Sequence, residues 1–422
     1  MKKIGLIGVG TIGSGVIHLF QNNFKRMNHF LKEELVLGTI CDLDFSKCNY
    51  DLSEFNCIND WQKIIDDPEI DIVIELIGGE QPSLSIIKAA LQKGKSVVTA
   101  NKLLMAKYGE ELLDIANNNE ADLLYEAAVG GAIPIIRALK TSLVPNNIKG
   151  IYGIVNGTTN YILTKMQQSG VDYGAVLKEA QELGYAEADP SSDVDGYDSQ
   201  YKLAILSAIA FQTKVNIDDI LVEGITNISA TDLDYCRQMN SSIKLVAIAQ
   251  VENDQIELRI HPVILDNNHP LAAVNGVFNA VYVVGDAVGE MMLYGQGAGS
   301  LPTASAVLSD VIDIVKKTPY SRGEINNLQI KDKDRIVSEY YIRVRVQDKP
   351  GVLAAITKVL ADHNISVASA IQRGDIVDNH QSDVDLVIVT HTISEKDKNN
   401  ALNDLKELSN VREICSVIRV GL

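Results

Sequence analysis

The first third of the chain alternates between short apolar runs and segments with helical spacing of apolar residues. The runs of strand length are Ile4–Val9, Leu35–Cys41, Ile70–Ile77 and Ser96–Ala100, and the helical segments are Ile12–Asn22 and Ser83–Gln92. This alternation predicts βαβ units and a parallel sheet covered by helices on both faces.

The pattern changes near Ile148, where helices and strands no longer alternate. Helical spacing covers Tyr173–Leu183, Tyr197–Phe211 and Pro302–Val315, and strand-like runs cover Ser242–Glu252, Ile256–Val263 and Ala280–Val284. This order predicts an α+β domain for substrate binding or dimerisation.

The last part of the chain follows a polar segment and has a compact pattern of its own. Strands are expected at Tyr341–Val346, Ser366–Gln372, Val384–Thr390 and Ile414–Val420, and helices at Gly351–His363 and Glu395–Leu408. The predicted domains are therefore 1–134, completed by a helix near 302–316, then 135–301, a linker at 317–336, and 337–422.

Composition narrows the classes of function. The 422 residues carry a formal charge of −17, which disfavours binding to nucleic acid or to an anionic membrane surface. No apolar run approaches the roughly 20 residues that span a bilayer. The 5 cysteines show no CxxC spacing, so we expect free thiols in a cytoplasmic protein.

A glycine-rich turn joins the first predicted strand to the first predicted helix. Gly8, Gly10 and Gly13, with Thr11 and Ile12 between the last two, form GxGxxG. Glycines at this spacing permit a tight turn, close approach of a pyrophosphate and close packing of helix on strand, and the start of the helix offers N–H groups to phosphates. The sequence therefore predicts a Rossmann-type dinucleotide-binding domain.

Two residues near the end of the second strand bear on the choice of dinucleotide. Asp42 is placed to bind a ribose 2′-hydroxyl, which favours NAD, whereas Lys47 is placed to meet the 2′-phosphate of NADP. Both side chains are equally explained as solvated loop charges. The sequence leaves the choice between NAD and NADP open.

An acidic loop precedes the helix at Tyr197. Residues 186–198 contain five carboxylates, the last of which is Asp198, and Lys202 follows at i+4 at the start of an apolar helix. A surface ion pair is the alternative interpretation. A lysine at the mouth of a buried helix suits proton transfer to an alkoxide, and the carboxylates suit an α-ammonium group.

A second candidate lysine, Lys102, follows the predicted strand Ser96–Ala100. The carboxyl edge of a parallel sheet is where ligands bind in open α/β folds. A surface lysine is the alternative, and the position alone does not separate the two.

The chain resembles homoserine dehydrogenases along its whole length. Five stretches carry the resemblance: Gly8–Gly13, Glu75–Gly79, Val97–Lys102, Asn156–Leu163 and Gly184–Lys202. The resemblance implies reversible NADP- or NAD-dependent reduction of L-aspartate 4-semialdehyde to L-homoserine, on the route to threonine, methionine and isoleucine.

The resemblance also implies roles for individual residues. Lys202 matches the proton donor of the family, and Lys102 matches a second lysine beside the reacting carbon and the cofactor. The residues that match substrate-binding positions are Gly157, Thr158, Tyr185, Glu187, Asp193 and Asp198. Gly297, in a glycine-rich stretch before Pro302, matches a position near the nicotinamide.

The family further implies a monovalent cation, usually sodium, held largely by main-chain carbonyls. The matching positions are Glu126, Val129, Gly131 and Ile133. Carbonyl ligands leave no side-chain pattern, so this site is expected on the resemblance alone.

The tail resembles an ACT domain, with a ferredoxin-like arrangement of strands and helices. The resemblance implies binding of an amino-acid effector such as threonine near Asn364 and Ile365, and a homodimer or homotetramer. A purely structural tail is the alternative. Two rival functions stay open: an amine-oxidising amino-acid dehydrogenase on the same scaffold, and a non-catalytic nucleotide sensor.

Overall fold

A computed structural model describes residues 1–31, 33–318, 325–373 and 383–422, without the side chains of Lys47 and Arg373. The strands are β1 Lys2–Ile7, β2 Leu35–Cys41, β3 Asn56–Ile58, β4 Ile72–Glu75, β5 Ser96–Thr99, β6 Leu123–Leu124, β7 Ile148–Ile154, β8 Leu221–Val222, β9 Ser241–Glu252, β10 Gln255–Asp266, β11 Phe278–Gly285, β12 Gly289–Gln296, β13 Gln329–Ile330, β14 Val337–Gln347, β15 Val367–Arg373, β16 Asp383–Thr390, β17 Ile393–Ser394 and β18 Val411–Val420. The helices are α1 Thr11–His29, α2 Gln62–Asp66, α3 Ser83–Gln92, α4 Lys102–Asn118, α5 Ile135–Arg137, α6 Gly157–Ser169, α7 Tyr173–Glu182, α8 Ser191–Val194, α9 Tyr197–Ala210, α10 Ala230–Gln238, α11 Ser300–Lys316, α12 Val352–Asp362 and α13 Glu395–Glu407.

The chain forms two compact units. The first unit comprises Met1–Gly157, Asp198–Ile220 and Val277–Asn327, and the second comprises Thr158–Tyr197, Leu221–Gly276 and Leu328–Leu422. Within the described residues, no helix combines the length and the apolar character needed to cross a membrane.

The first unit contains the predicted parallel sheet. Its six strands run in the order β3-β2-β1-β4-β5-β6, and every neighbouring pair is parallel. The middle residues of the central strands are apolar and buried, because helices cover both faces of such a sheet. The order reverses between β1 and β4, which is where doubly wound folds bind ligands.

Helix α11 packs on this sheet although it lies almost two hundred residues beyond β6 in the sequence. Ala304, Val307 and Val311 of α11 join Val16 of α1 and Leu6 of β1 in one buried cluster. The packing is close, because a Cβ at Gly15 of α1 would stand 2.6 Å from the carbonyl oxygen of Ser300. The first unit also contains an antiparallel ribbon in the order β7-β11-β12.

The second unit is built on a long antiparallel hairpin and a ferredoxin-like sheet. β9 and β10 pair over twelve residues each. β18 lies parallel to β10, and the order continues through β14, β16 and β15. Helices α12 and α13 pack on this sheet through residues such as Ile356, Leu360 and Leu405. The predicted α/β class with a ferredoxin-like tail is confirmed.

The tail is tied to α10 by a buried ion pair. Asp232, in the first turn of α10, is 0% exposed and accepts hydrogen bonds from Arg343 Nε at 2.7 Å and Ser416 Oγ at 2.6 Å. Asp232 also closes a capping box with Ser229. One carboxylate thus serves as helix cap and as partner of an arginine from β14.

Lys244 of β9 is a fully buried cation, only 1% exposed. Its Nζ donates to the carbonyl oxygen of Val274 at 2.6 Å, to Asn275 Oδ1 at 2.9 Å and to Asn160 Oδ1 at 3.3 Å. These oxygens satisfy the ammonium protons with neutral acceptors. Burial therefore lowers the pKa of Lys244 to about 8.

Lys244 makes the stability of the protein depend on pH in the alkaline range. Its pKa falls from 10.5 in the unfolded chain to about 8 in the fold, so the unfolded state binds the proton more tightly. The resulting destabilisation, on the order of 3 kcal/mol, is complete below about pH 8 and is lost as the pH rises toward the unfolded value. We expect wild type to gain stability relative to Lys244→Met between about pH 8 and pH 10.

Thermal unfolding at a series of pH values measures this effect. Lys178→Met is the control, because its side chain is 78% exposed. Parallel pH profiles for wild type and Lys244→Met would contradict the assignment.

Candidate active site

The glycine-rich turn lies between β1 and α1, at the carboxyl end of the central strand. Gly8 has a φ of +99°, and a Cβ there would stand 2.6 Å from the main chain of Leu76. A Cβ at Gly13 would stand 2.0 Å from the carbonyl oxygen of Gly8, whereas no described residue beyond its chain neighbours lies within 4 Å of one at Gly10. Gly8 and Gly13 thus shape the turn, and the open space at Gly10 fits the pyrophosphate of a dinucleotide.

The other residues of the turn have protein partners. The carbonyl oxygen of Thr11 accepts a hydrogen bond from Ser300 Oγ at 2.6 Å, and Ile12 is half-buried against the core. Asp42, at the end of β2, accepts a hydrogen bond from Val9 N at 2.5 Å. Its carboxylate therefore lies beside the turn, where a ribose would lie. The side chain of Lys47 is outside the described residues.

A hydrogen-bond network at the ends of β4 and β5 sets the start of α4. Glu75 is 0% exposed; its Oε2 accepts from Thr99 Oγ1 at 2.8 Å and its Oε1 from Ile77 N at 2.8 Å. Thr99 Oγ1 accepts from Asn101 N at 3.0 Å, and the Asn101 side chain caps α4. Lys102 is the first residue of that helix, so the network fixes its backbone.

Asp198 joins the two candidate lysines. Its Oδ1 lies 2.5 Å from Lys102 Nζ, and its Oδ2 lies 2.6 Å from Lys202 Nζ. Lys202 also donates to the carbonyl oxygen of Val155 at 2.6 Å, and Asn156 Nδ2 donates to Asp198 Oδ2 at 2.8 Å. The structure thus adds Lys102, which the sequence placed elsewhere, to the i+4 pair of Asp198 and Lys202.

Lys102, Asp198 and Lys202 differ in how far their side chains are buried. The Lys202 side chain is 10% exposed and that of Asp198 4%, whereas the Lys102 side chain is 41% exposed. Burial by itself raises the pKa of Asp198, but the ammonium groups of Lys202 and Lys102 outweigh it and hold that pKa well below its usual range. Asp198 is therefore a permanent anion that keeps two cations together.

The other predicted substrate residues belong mainly to the second unit. Thr158 Oγ1 donates to the carbonyl oxygen of Tyr185 at 2.7 Å, which ties α6 to the start of the acidic loop. Glu187 is exposed, and its main-chain oxygen accepts from Gln181. Asp193 is half-buried in α8. Gly157 lies in the first unit, where a Cβ would stand 2.8 Å from the carbonyl oxygen of Val277.

The expected cation stretch and Gly297 come together in the first unit. Gly131 has a φ of +54°, and a Cβ there would stand 2.6 Å from the carbonyl oxygen of Gly297. Both carboxylate oxygens of Glu126 accept main-chain N–H groups at the start of α5, from Ile136 and Arg137. No cluster of three or more His, Cys, Asp or Glu side chains with metal-site geometry occurs in the described residues.

Glu75, Asn101 and Asn156 were not predicted as site residues, although each lies in a stretch that carries the resemblance. Their positions in the sequence indicated a possible role, because all three are polar residues at the ends of apolar strands. Their partners were not predictable, since each bonds across a distance in sequence that no local pattern spans.

Comparison with known proteins agrees with this geometry. Family models described as homoserine dehydrogenase, its NAD-binding domain and the ACT domain match residues 134–312, 8–126 and 340–410. The homoserine dehydrogenase of Synechocystis sp. is 42% identical over 433 residues, which cover 99% of both chains. The chain belongs to the homoserine dehydrogenase family. The homoserine dehydrogenase of Bacillus subtilis is 40% identical over 425 residues, covering 99% of this chain and 98% of the relative.

A solved structure supports the same family. The crystal structure of a homoserine dehydrogenase from Thiobacillus denitrificans has a TM-score of 0.94 and 38% identity, covering 100% of this chain and 98% of that one. Membership of the homoserine dehydrogenase family makes the chain an NAD(P)-dependent oxidoreductase with an ACT domain, as predicted.

The glycine-rich turn yields a test that separates cofactor binding from folding. The methyl group of Gly10→Ala lies more than 4 Å from the described residues other than its chain neighbours, so we expect normal thermal stability. Its methyl group occupies the approach of the pyrophosphate, and we expect affinity for the dinucleotide to fall at least about tenfold, or 1.4 kcal/mol. Gly13→Ala overlaps Gly8 and should lower both affinity and melting temperature.

Fluorescence titration with the reduced cofactor and thermal unfolding measure the two properties. Wild-type affinity in Gly10→Ala would refute the proposed path of the pyrophosphate.

Proposed function

We propose that the chain catalyses the reversible reduction of L-aspartate 4-semialdehyde to L-homoserine with NADPH or NADH. The observation that carries the proposal is the Lys102–Asp198–Lys202 cluster in a chain of this family. An aldehyde that accepts hydride becomes an alkoxide, which needs a proton, and a buried ammonium supplies one. The bound nicotinamide supplies the hydride chemistry.

Lys202 is proposed as the proton donor in reduction and acceptor in the reverse direction. Its ammonium is oriented by the carbonyl of Val155 and by Asp198, both at 2.6 Å. Fixed orientation of this kind raises the rate because the donor does not reorganise during the reaction. Asp198 acts on Lys202 by stabilising its charged form and its position.

Lys102 is proposed to hold the substrate oxygen or the cofactor near the same place. It is more exposed than Lys202, and its position follows from the network of Glu75, Thr99 and Asn101. In the second unit, we propose that Glu187 and Asp193 bind the α-ammonium group of the substrate by charge-assisted hydrogen bonds. Gly157, Thr158 and Tyr185 are proposed to line the binding region.

We propose a monovalent cation, most simply sodium, at the main-chain carbonyls of Glu126, Val129, Gly131 and Ile133. The support is the positive φ of Gly130 and Gly131, which turns the chain sharply at this place. Because Gly131 approaches Gly297 closely, a cation here would stiffen the stretch proposed to lie near the nicotinamide. Its contribution would be to position main chain and not to take part in the reaction.

We propose the domain limits given by the sequence, 1–134 with the helix near 302–316, 135–301 and 337–422, joined by a linker at 317–336. The packing of α11 on the parallel sheet supports the first limit. Of the linker, residues 319–324 lie outside the description. For the ACT domain we propose threonine as effector, bound near Asn364 and Ile365, and a homodimer or homotetramer as the assembly.

We propose a cytoplasmic location, supported by the state of the cysteines. All five are free thiols, and burial raises the pKa of Cys41 to about 11. A raised pKa makes the Cys41 thiol a poor nucleophile, and unpaired cysteines fit a reducing compartment.

The primary test is the oxidation of L-homoserine at alkaline pH with NAD and with NADP, followed by the absorbance of the reduced nicotinamide. Wild type should turn over, and Lys202→Met should lose about a hundred- to ten-thousandfold in kcat because it lacks the transferable proton. The Met stem keeps the packing, and Asp198 retains Lys102 as a partner.

Lys107→Met is the matched control, because that lysine lies on α4 with a 40% exposed side chain. Wild-type turnover by a folded, cofactor-binding Lys202→Met would refute the role of Lys202. Ammonia-dependent turnover of an oxo acid would favour the amine-oxidising rival, and cofactor binding without any turnover would favour a sensor.

Asp42 yields a test of cofactor preference. Its carboxylate repels a 2′-phosphate and accepts a hydrogen bond from a 2′-hydroxyl. We expect Asp42→Ala to raise the ratio of kcat/KM for NADP over NAD by about tenfold, or 1.4 kcal/mol. An unchanged ratio would show that Asp42 only holds Val9 N in the turn.

A further inference from the structure

Arg419, near the end of β18, is a buried cation whose partners lie in two different segments. It is 2% exposed. Its Nε donates to Glu395 Oε1 at 2.7 Å, within the tail. Its two terminal nitrogens donate to both oxygens of Glu223, at 2.7 and 2.9 Å. This fork-to-fork geometry fixes direction as well as distance, which a single ion pair does not.

Glu223 continues the short strand β8, which pairs with β10. Its backbone N–H donates to the carbonyl oxygen of Ile260 at 2.8 Å. β18 also lies along β10, with Arg419 opposite Val263. The segments that carry Arg419 and Glu223 are therefore both hydrogen-bonded to β10. The geometry of the Arg419–Glu223 pair depends on where β18 lies relative to the segment 221–225.

The segment 221–225 supports the acidic loop directly. A Cβ at Gly224 would stand 2.3 Å from the carbonyl oxygen of Val194, and Ile225 N donates to that same oxygen at 2.8 Å. On the other side, a Cβ at Gly196 would stand 2.9 Å from Val222 Cγ1. Two close approaches and one hydrogen bond thus seat α8 and its neighbours, including Asp193, on this segment.

A buried ion pair elsewhere in the tail provides a contrast. Arg343 of the tail is bound to Asp232, but Asp232 caps α10. Arg419 and Glu223, by comparison, link the tail by side chains to the segment on which the acidic loop rests.

We propose that Arg419 is a positioning residue: through Glu223 it fixes the segment on which the acidic loop rests, and so sets affinity for the amino-acid substrate. This inference rests on the proposed function, in which Glu187 and Asp193 bind the substrate ammonium. If β18 is displaced within the tail, the first kinetic constant to change should therefore be the KM for homoserine. Cofactor binding, which depends on the turn Gly8–Gly13, is unaffected.

The test variant is Glu223→Ala in the full-length protein. Arg419 keeps Glu395 as a partner, so no buried charge is orphaned and the variant is expected to fold. We expect KM for homoserine to rise about five- to tenfold, with KM for the cofactor within about twofold and kcat less affected than KM. Glu223→Gln, which keeps one acceptor oxygen, should give a smaller rise.

Asp383→Ala is the matched control. Asp383 pairs with Arg412, on the same strand β18, and its side chain is 40% exposed compared with 41% for Glu223. That pair stays within the tail and does not touch the segment 221–225. We expect its KM values to equal those of wild type.

A second readout does not depend on catalysis. Hydrogen–deuterium exchange should become faster in peptides covering residues 186–196 in Glu223→Ala, and not in Asp383→Ala, because the N–H groups of α8 lose their fixed seat. Unchanged exchange and unchanged KM in Glu223→Ala would overturn the proposal, as would an equal rise in both KM values with a lowered melting temperature. A wild-type protein that does not turn over homoserine would refute the proposed function. The hydrogen–deuterium exchange measurement would still test whether Arg419 holds the acidic loop in place.

Discussion

The contacts of the buried Asp198 carboxylate hold the candidate active site of the first unit together. The carboxylate is buried at the start of α9, where an uncompensated charge would be strongly unfavourable. The ammonium group of Lys102 and the amide of Asn156 satisfy it from two other segments, and the ammonium group of Lys202 does so from the next turn of α9. Lys102 follows β5 of the parallel sheet, and Asn156 follows β7 of the ribbon. The single carboxylate of Asp198 therefore requires that these two strands end where α9 begins.

Much of the fold was predictable because its elements are determined by local patterns. Leu35–Cys41 and Ser83–Gln92 were predicted with the bounds that the structure shows, and the apolar core of the tail follows the expected periodicity. The strand at β12 was not predicted. It is an edge strand of alternating exposure that begins and ends beside glycines, so its sequence resembles a loop.

The candidate site was predictable only in part. Glycine spacing and the i+4 pair of Asp198 and Lys202 are local, and the sequence revealed them. The bridge from Asp198 to Lys102 spans ninety-six positions in the chain and depends on the cap of α4, which in turn depends on Glu75. The close approach of Gly131 to Gly297 is equally non-local, and glycine leaves no side chain from which a partner can be inferred.

In the second unit, charged side chains form ion pairs at positions where apolar residues would pack as well, and their geometry explains why. An isolated buried ion pair adds little net stability, since desolvation opposes its attraction. Its geometric demand is strict, however, because a guanidinium and a carboxylate bond well only when both are held in one relative position. Asp232 with Arg343, and Glu223 with Arg419, therefore admit one arrangement of the tail against α10 and the segment 221–225. Apolar contacts such as those of Ile356 and Leu405 form the core of the tail, and the two arginines bond it to α10 and to the segment 221–225.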